Sequence, residues 1–202
     1  MNEKGLLFVI SGPAGSGKSS VNARLVESGR FEFSVSATTR APRPGEKDGV
    51  DYFFIDRPAF EKLIEDGKML EHAQYVDNLY GTPKDAVEKC LSAGKNMILE
   101  IEVQGAAQVK AKMPDAVMIF LLPPNAKMLE ERLRRRGTET EDVIRKRLDT
   151  AKKELEYWKY YDYVVLNEED NIEETVNRIF EIERVERLKT TRNQKIKENF
   201  FR

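Results

Sequence analysis

The run Gly12–Ser19, GPAGSGKS, has the spacing G-x-x-x-x-G-K-[ST] of a phosphate-binding loop. Each residue type has a task in such a loop. Gly12, Gly15 and Gly17 let the backbone turn its N–H groups inward and approach an anion closely. Lys18 reaches the outer phosphates, and the Ser19 hydroxyl is placed for Mg²⁺. Pro13, Ala14 and Ser16 complete the loop, and Ser20 follows it. The flanks strengthen the reading. Leu6–Ile10 is a continuous apolar run that predicts a strand buried on both faces, and helical spacing follows through Val21 and Leu25. The loop then opens a helix, whose N-terminal dipole favours the anion. This implies a nucleoside triphosphate site but not its use, because switches, motors, transporters and kinases share the loop.

A second cluster carries cations. SATTRAPRPGEKDGVDYFF (Ser36–Phe54) holds Arg40 and Arg43 with Pro42 between them and Pro44 after, in a chain whose net charge is only −1. No helix can carry that pair past two prolines, so the backbone is extended and stiff. A kinase for a phosphate-bearing acceptor must hold a second anion, and two guanidinium forks suit a phosphate. Ser36, Tyr52 and Tyr80 offer hydroxyl donors.

The elements that must position these groups follow from periodicity. NMILEIEV (Asn96–Val103), AVMIFLLPP (Ala116–Pro124) and DYVVLN (Asp162–Asn167) predict further central strands. Helical spacing lies between them: Met128, Leu129 and Leu133, then Ile144, Leu148, Ala151, Leu155 and Trp158. Alternating strands and helices predict an α/β fold, a parallel central sheet with helices on both faces. Ser34–Tyr80 breaks that rhythm with turns and one helix near Pro58–Asp66, and reads as an insertion. Arg132–Arg147 is highly charged and broken at Gly137–Thr138. Glu100 and Glu102, at alternate positions of a strand end, are expected to share one face. A last helix begins near Asn171, and beyond Leu188 the chain is expected to fray or find a partner.

Taken together, SATTRAPRPGEKDGVDYFF, MLEHAQY (Met69–Tyr75), YGTP (Tyr80–Pro83), LEIEVQGA (Leu99–Ala106), ERLRRRGTETE (Glu131–Glu141), KRL (Lys146–Leu148) and VVLN (Val164–Asn167) resemble the ordered motifs of guanylate kinases. The resemblance implies a P-loop nucleoside monophosphate kinase that phosphorylates GMP, and dGMP as well, with ATP and Mg²⁺. It divides residues 5–184 into a core (1–34, 84–124 and 150–202), a GMP-binding insertion (35–83) and a lid (125–149), with 185–202 as a helix end or tail. It further implies that Ser36, Arg40, Arg43, Tyr52 and Tyr80 hold the GMP phosphate. Glu71 and Thr82 would read guanine, with Glu102 on the guanine side. The same resemblance puts Glu100 with Ser19 near the metal and Asn167 beside adenine. Lys18, Arg136 and Arg147 would act on the transferring phosphoryl group, with Arg132 assisting. Guanine's N1–H and N2–H₂ suit an acceptor-only carboxylate, and Thr82 can donate to O6. Glu102 departs from the aspartate common in relatives, as do Ala14 from serine and Leu79 from an aromatic residue.

Composition bounds the rest. The chain has 202 residues, 40% hydrophobic and 34% charged, enough for one large domain or a small core with inserted pieces. Near neutrality argues against nucleic-acid or membrane-surface partners, and no apolar run approaches the roughly 20 residues of a membrane helix. A lone cysteine, Cys90, and an N-terminus without a signal-peptide pattern predict a cytoplasmic protein. Self-association is left open. Two rival readings are a catalytically silent interaction module that binds phosphopeptides, and a kinase for a phosphorylated sugar. The intact loop weighs against the first, and Glu71 with Thr82 against the second.

Overall fold

The computed structural model describes residues 4–75, 77–135, 137, 140–168 and 171–193. Its main sheet contains β1 (Leu7–Ser11), β2 (Phe31–Phe33), β7 (Asn96–Glu100), β8 (Val117–Leu122) and β9 (Tyr163–Leu166). The order is β2-β7-β1-β8-β9, with every pairing parallel. The central strand β1 ends at the glycine-rich loop, and its neighbours β7 and β8 lie on opposite sides. A crevice therefore opens at the carboxyl end of β1, where α/β sheets bind ligands.

Helices cover both faces, which explains the uninterrupted apolar runs. On one face Val21 and Leu25 of α1 (Lys18–Glu27), with Val176 and Ile179 of α7 (Ile172–Leu188), pack on Phe8, Ile10, Ile119 and Leu121. On the other, Val87 and Leu91 of α3 (Lys84–Ser92), with Val109 of α4 (Val103–Lys112), pack on Val9, Leu99 and Met118.

A smaller sheet forms from β3 (Ala37–Thr38), β4 (Phe53–Phe54), β5 (Met69–Tyr75) and β6 (Asn78–Pro83), in the order β4-β3-β6-β5. Its core is Ala37, Phe60 of α2 (Arg57–Glu65), Met69 and Leu79. The two-residue β3 is too short to hold by ladder bonds alone. Threonine side chains help: Thr38 Oγ1 donates to Leu79 O at 3.0 Å, and Leu79 N donates to Thr39 Oγ1 at 2.9 Å. Finally, α5 (Ala126–Arg135) and α6 (Glu141–Leu155) pair through Leu129, Leu133, Ile144 and Ala151, with Ala14 of the glycine-rich loop packed against them.

Three expectations change. The strand expected through Val103 ends at Glu100, because Glu102 caps α4: its carboxylate accepts from Gln104 N at 2.9 Å and Gly105 N at 2.6 Å. Glu100 and Glu102 therefore do not share a strand face. The helix expected through Trp158 stops at Leu155, and a 3₁₀ turn spans Trp158–Tyr160. The chain beyond Leu188 remains bonded through Asn193. Arg192 donates to Glu186 at 2.8 Å and to Asp115 O at 2.7 Å. Glu186 is only 1% exposed, so its carboxylate needs such partners. Residues 194–202 lie outside the described set. Among the described residues, no helix is long and apolar enough to cross a membrane.

Candidate active site

The loop is fastened from behind. Ser16 O accepts Asn167 Nδ2 at 2.9 Å and an Arg132 guanidinium nitrogen at 3.4 Å. Arg132 also donates to Asn167 O at 2.8 Å, and Thr175 Oγ1 donates to Asn167 Oδ1 at 3.1 Å. The Asn167 amide thus joins the end of β9 to the loop. Lys18 Nζ donates to Gly12 O at 2.6 Å and Pro13 O at 3.1 Å, which keeps the ammonium at the loop. Gly17 opens α1 in the left-handed region, at φ 89°. Half-buried Glu154, near the end of α6, is within electrostatic reach: burial pushes its carboxyl up, and Lys18 partly offsets this.

Across the loop's open side, Ser19 Oγ donates to Glu100 Oε1 at 3.3 Å, and Asn22 Nδ2 donates to Glu100 Oε2 at 2.8 Å. A hydroxyl and a carboxylate oriented by an amide therefore converge beside the loop. They line a cavity of about 260 Å³ whose other wall includes Ser36, Tyr52 and Thr82. The two sequence clusters face one cleft.

Arg40 is held more tightly than its prolines alone would hold it. Its guanidinium donates to both Glu46 oxygens, at 2.9 and 3.0 Å, and to Ala41 O at 2.7 Å. It also lies 5.5 Å over the Tyr52 ring, and Tyr52 meets Tyr80 edge-on at 6.1 Å. Glu46 accepts Arg43 N at 2.7 Å, so one carboxylate organises both arginine positions. The bond from Arg40 holds Glu46 below the usual carboxylate range. The Arg43 side chain is exposed. Sequence reasoning missed Glu46 as the organiser, although an acid three residues after Arg43 was the available signal.

Glu71 sits deeper, 5% exposed on β5. Thr82 Oγ1 donates to its Oε1 at 2.7 Å. Burial pushes the Glu71 carboxyl up, and the Glu102 carboxylate adds to the push; the Thr82 bond and Lys112 oppose it. Both Glu102 oxygens accept α4 amides. In the charged helix pair, Arg147 lies half-buried on α6, while Arg134 is paired on the surface with Glu130 and Glu141. The expectation for Arg136 falls outside the described residues.

A family model described as Guanylate kinase matches residues 4–185. The chain belongs to the guanylate kinase family. It is 54% identical over 191 residues to the guanylate kinase of Shouchella clausii, covering 94% of this chain and 92% of that relative. With the guanylate kinase of Listeria innocua it shares 50% over 194 residues, covering 95% and 94%. A solved guanylate kinase from Anaplasma phagocytophilum superposes with a TM-score of 0.74 at 39% identity, covering 94% of this chain and 90% of that one. The chain is thus an enzyme, a kinase of the guanylate kinase family with the expected α/β architecture.

Proposed function

We propose that the protein catalyses ATP + GMP ⇌ ADP + GDP, accepts dGMP in place of GMP, and recycles purine nucleotides in the cytoplasm. The observation that carries this reading is the single cleft bounded by Ser19 and Glu100 on the loop side and by Ser36, Tyr52 and Thr82 opposite. Two phosphate-bearing substrates fit end to end only if both anion sites open onto one space.

In this reading Gly12–Ser19, with Ser20, cradles the ATP phosphates. Ser36, Arg40, Arg43, Tyr52 and Tyr80 hold the GMP phosphate. Glu71 accepts guanine N1–H and N2–H₂, while the Thr82 hydroxyl, which donates to Glu71 Oε1 in the structure, turns its proton to O6. Glu102 acts on the guanine side by capping α4 against Glu71. Asn167 acts beside the adenine through its grip on Ser16.

The donor set suits Mg²⁺, which takes one or two carboxylates or hydroxyls and completes its shell with phosphate and water oxygens. Ser19 Oγ and Glu100 Oε1, 3.3 Å apart, would hold it. The ion would supply charge neutralisation on the phosphate oxygens. No catalytic base is required, since a phosphate monoester with a second pKa near ~6 is largely dianionic at pH 7. Catalysis is then alignment plus electrostatic stabilisation. Lys18, Arg136 and Arg147 supply positive charge to the transferring group, and the helix pair of residues 125–149 closes to exclude water.

An ADP-release assay across GMP, dGMP, AMP, UMP and CMP tests the assignment. Turnover of GMP and dGMP well above the others is expected, and equal turnover of GMP and AMP would refute it. Glu46→Ala is a second test. Loss of the Arg40 and Arg43 tethers should raise the KM for GMP by about 10-fold, the equivalent of one charge-assisted hydrogen bond, and leave the KM for ATP unchanged. An unchanged GMP KM would remove Glu46 from the phosphate clamp.

A further inference from the structure

The smaller sheet meets the core along one face of α4. Gly105, Gln108 and Lys112 lie three and four residues apart, so they share that face. All three act on β5, an edge strand whose other side pairs with β6. Gln108 Nε2 donates to His72 O at 2.8 Å, and His72 N donates to Gln108 Oε1 at 3.2 Å. One side-chain amide thus supplies the donor and acceptor that a neighbouring strand would supply. Lys112 Nζ donates to Met69 O at 3.1 Å.

Between these two anchors the β5–β6 register shifts, from Met69 opposite Pro83 to Glu71 opposite Thr82. Such an irregularity re-aims side chains. Leu70 is sent into the core on the α4 side of the main sheet, and Glu71 lies against the first turn of α4. The approach is so close that a Cβ on Gly105 would stand 2.7 Å from Glu71 Oε2. Glycine is a poor helix former, and its presence inside α4 is explained by this contact.

We propose that Gly105, Gln108 and Lys112 are positioning residues for base selection: this face of α4 fixes β5 and its register shift so that the Glu71 carboxylate is aimed at the purine edge. The proposal rests on the base-reading role of Glu71 given above. The bolt is specific to position. Lys112 fixes the strand before Glu71, Gln108 fixes it after, and Gly105 leaves the space that the carboxylate fills. A base reader needs such support, because a displacement of about 1 Å costs up to 10²-fold in rate.

The experiment measures kcat and KM for GMP, IMP and ATP, with thermal midpoints, in the full chain carrying Gly105→Ala, Gln108→Met, Glu71→Gln and the pair Gly105→Ala with Glu71→Gln. IMP lacks the 2-amino group, so the GMP-to-IMP ratio of kcat/KM reads the Glu71 contact. Gly105→Ala and Gln108→Met should each lower kcat/KM for GMP by roughly 10- to 10²-fold and compress that ratio, with the KM for ATP unchanged. Gly105→Ala should change the thermal midpoint little while the ratio falls, since the helix preference of alanine offsets the cost of displacing the buried Glu71 carboxylate. Added to Glu71→Gln, it should have no further effect, because both changes act through one carboxylate. A wild-type GMP-to-IMP ratio in Gly105→Ala and Gln108→Met, beside a collapsed ratio in Glu71→Gln, overturns the positioning role and leaves base reading intact. Wild-type behaviour of Glu71→Gln overturns both, as does full additivity in the double variant for the positioning role alone.

Discussion

Glu71→Gln is expected to lower kcat/KM for GMP by roughly 10³-fold and to collapse the preference over AMP, while the KM for ATP stays as it was. The carboxylate can accept from both guanine donors, whereas the carboxamide must present an NH₂ group towards one of them. A site built for hydrogen bonds rejects a mismatched partner strongly, because the buried groups are left unpaired. The pH dependence sharpens the test. Burial raises the Glu71 carboxyl above its ordinary range in the free enzyme. Base reading requires the ionised form, so kcat/KM for GMP should fall with decreasing pH through that raised value. Glu71→Gln should flatten this limb.

Stability should move the other way. In the window between the unfolded value, about 4.3, and the raised folded value, the native state binds more protons than the unfolded state. The Glu71 contribution therefore becomes less favourable as pH rises through the window, and its cost is fully present above the raised value. Glu71→Gln should raise the thermal midpoint at pH 7 while damaging selectivity. A lower midpoint at pH 7 would mean that Thr82 and Lys112 more than compensate the burial, and an unchanged GMP preference would remove Glu71 as the base reader.

What could be read in the sequence was what lies close together along the chain. The phosphate loop is one continuous run between a strand and a helix, and Arg40 and Arg43 are separated by two residues. Strand–helix alternation pointed to parallel strands, because these need crossover connections, but not to their order in the sheet. The supports of the site were not legible, for the same reason. Asn167 reaches Ser16 across 151 residues, and Gln108 reaches His72 across 36. No local pattern distinguishes an asparagine that bonds a loop carbonyl from one at a strand end in water. Glu102 misled in another way. Alternation with Glu100 reads as strand, but a carboxylate that can bond the amides two and three residues on starts a helix instead. Gly105 carried a signal of its own, a glycine inside a helical pattern, whose meaning appeared only once Glu71 lay beside it.

Gly17→Ala is expected to reduce turnover by about 10³-fold, as if the loop's anion donors were no longer aligned, while GMP binding measured by calorimetry stays near wild type. Two penalties act at this position. The residue has φ 89° and ψ 17°, a left-handed conformation that costs an L side chain about 1–2 kcal/mol. The added Cβ would also stand 2.1 Å from Asn167 Nδ2, the atom that donates to Ser16 O. Asn167 is 5% exposed, its Oδ1 accepts from Thr175 Oγ1 and its backbone O accepts from Arg132, so its amide cannot swing aside without breaking the buried bond to Thr175. The loop must move instead, and with it the N–H groups that the proposed function assigns to the ATP phosphates. Asn167→Ala in the Gly17→Ala background separates the penalties. If the collision dominates, the double variant should regain at least 10-fold of the lost turnover, because the space is cleared. If backbone strain dominates, it should regain nothing and lose the Ser16 tether as well. Wild-type turnover in Gly17→Ala alone would show that neither the left-handed turn nor the Asn167 contact controls the phosphate cradle.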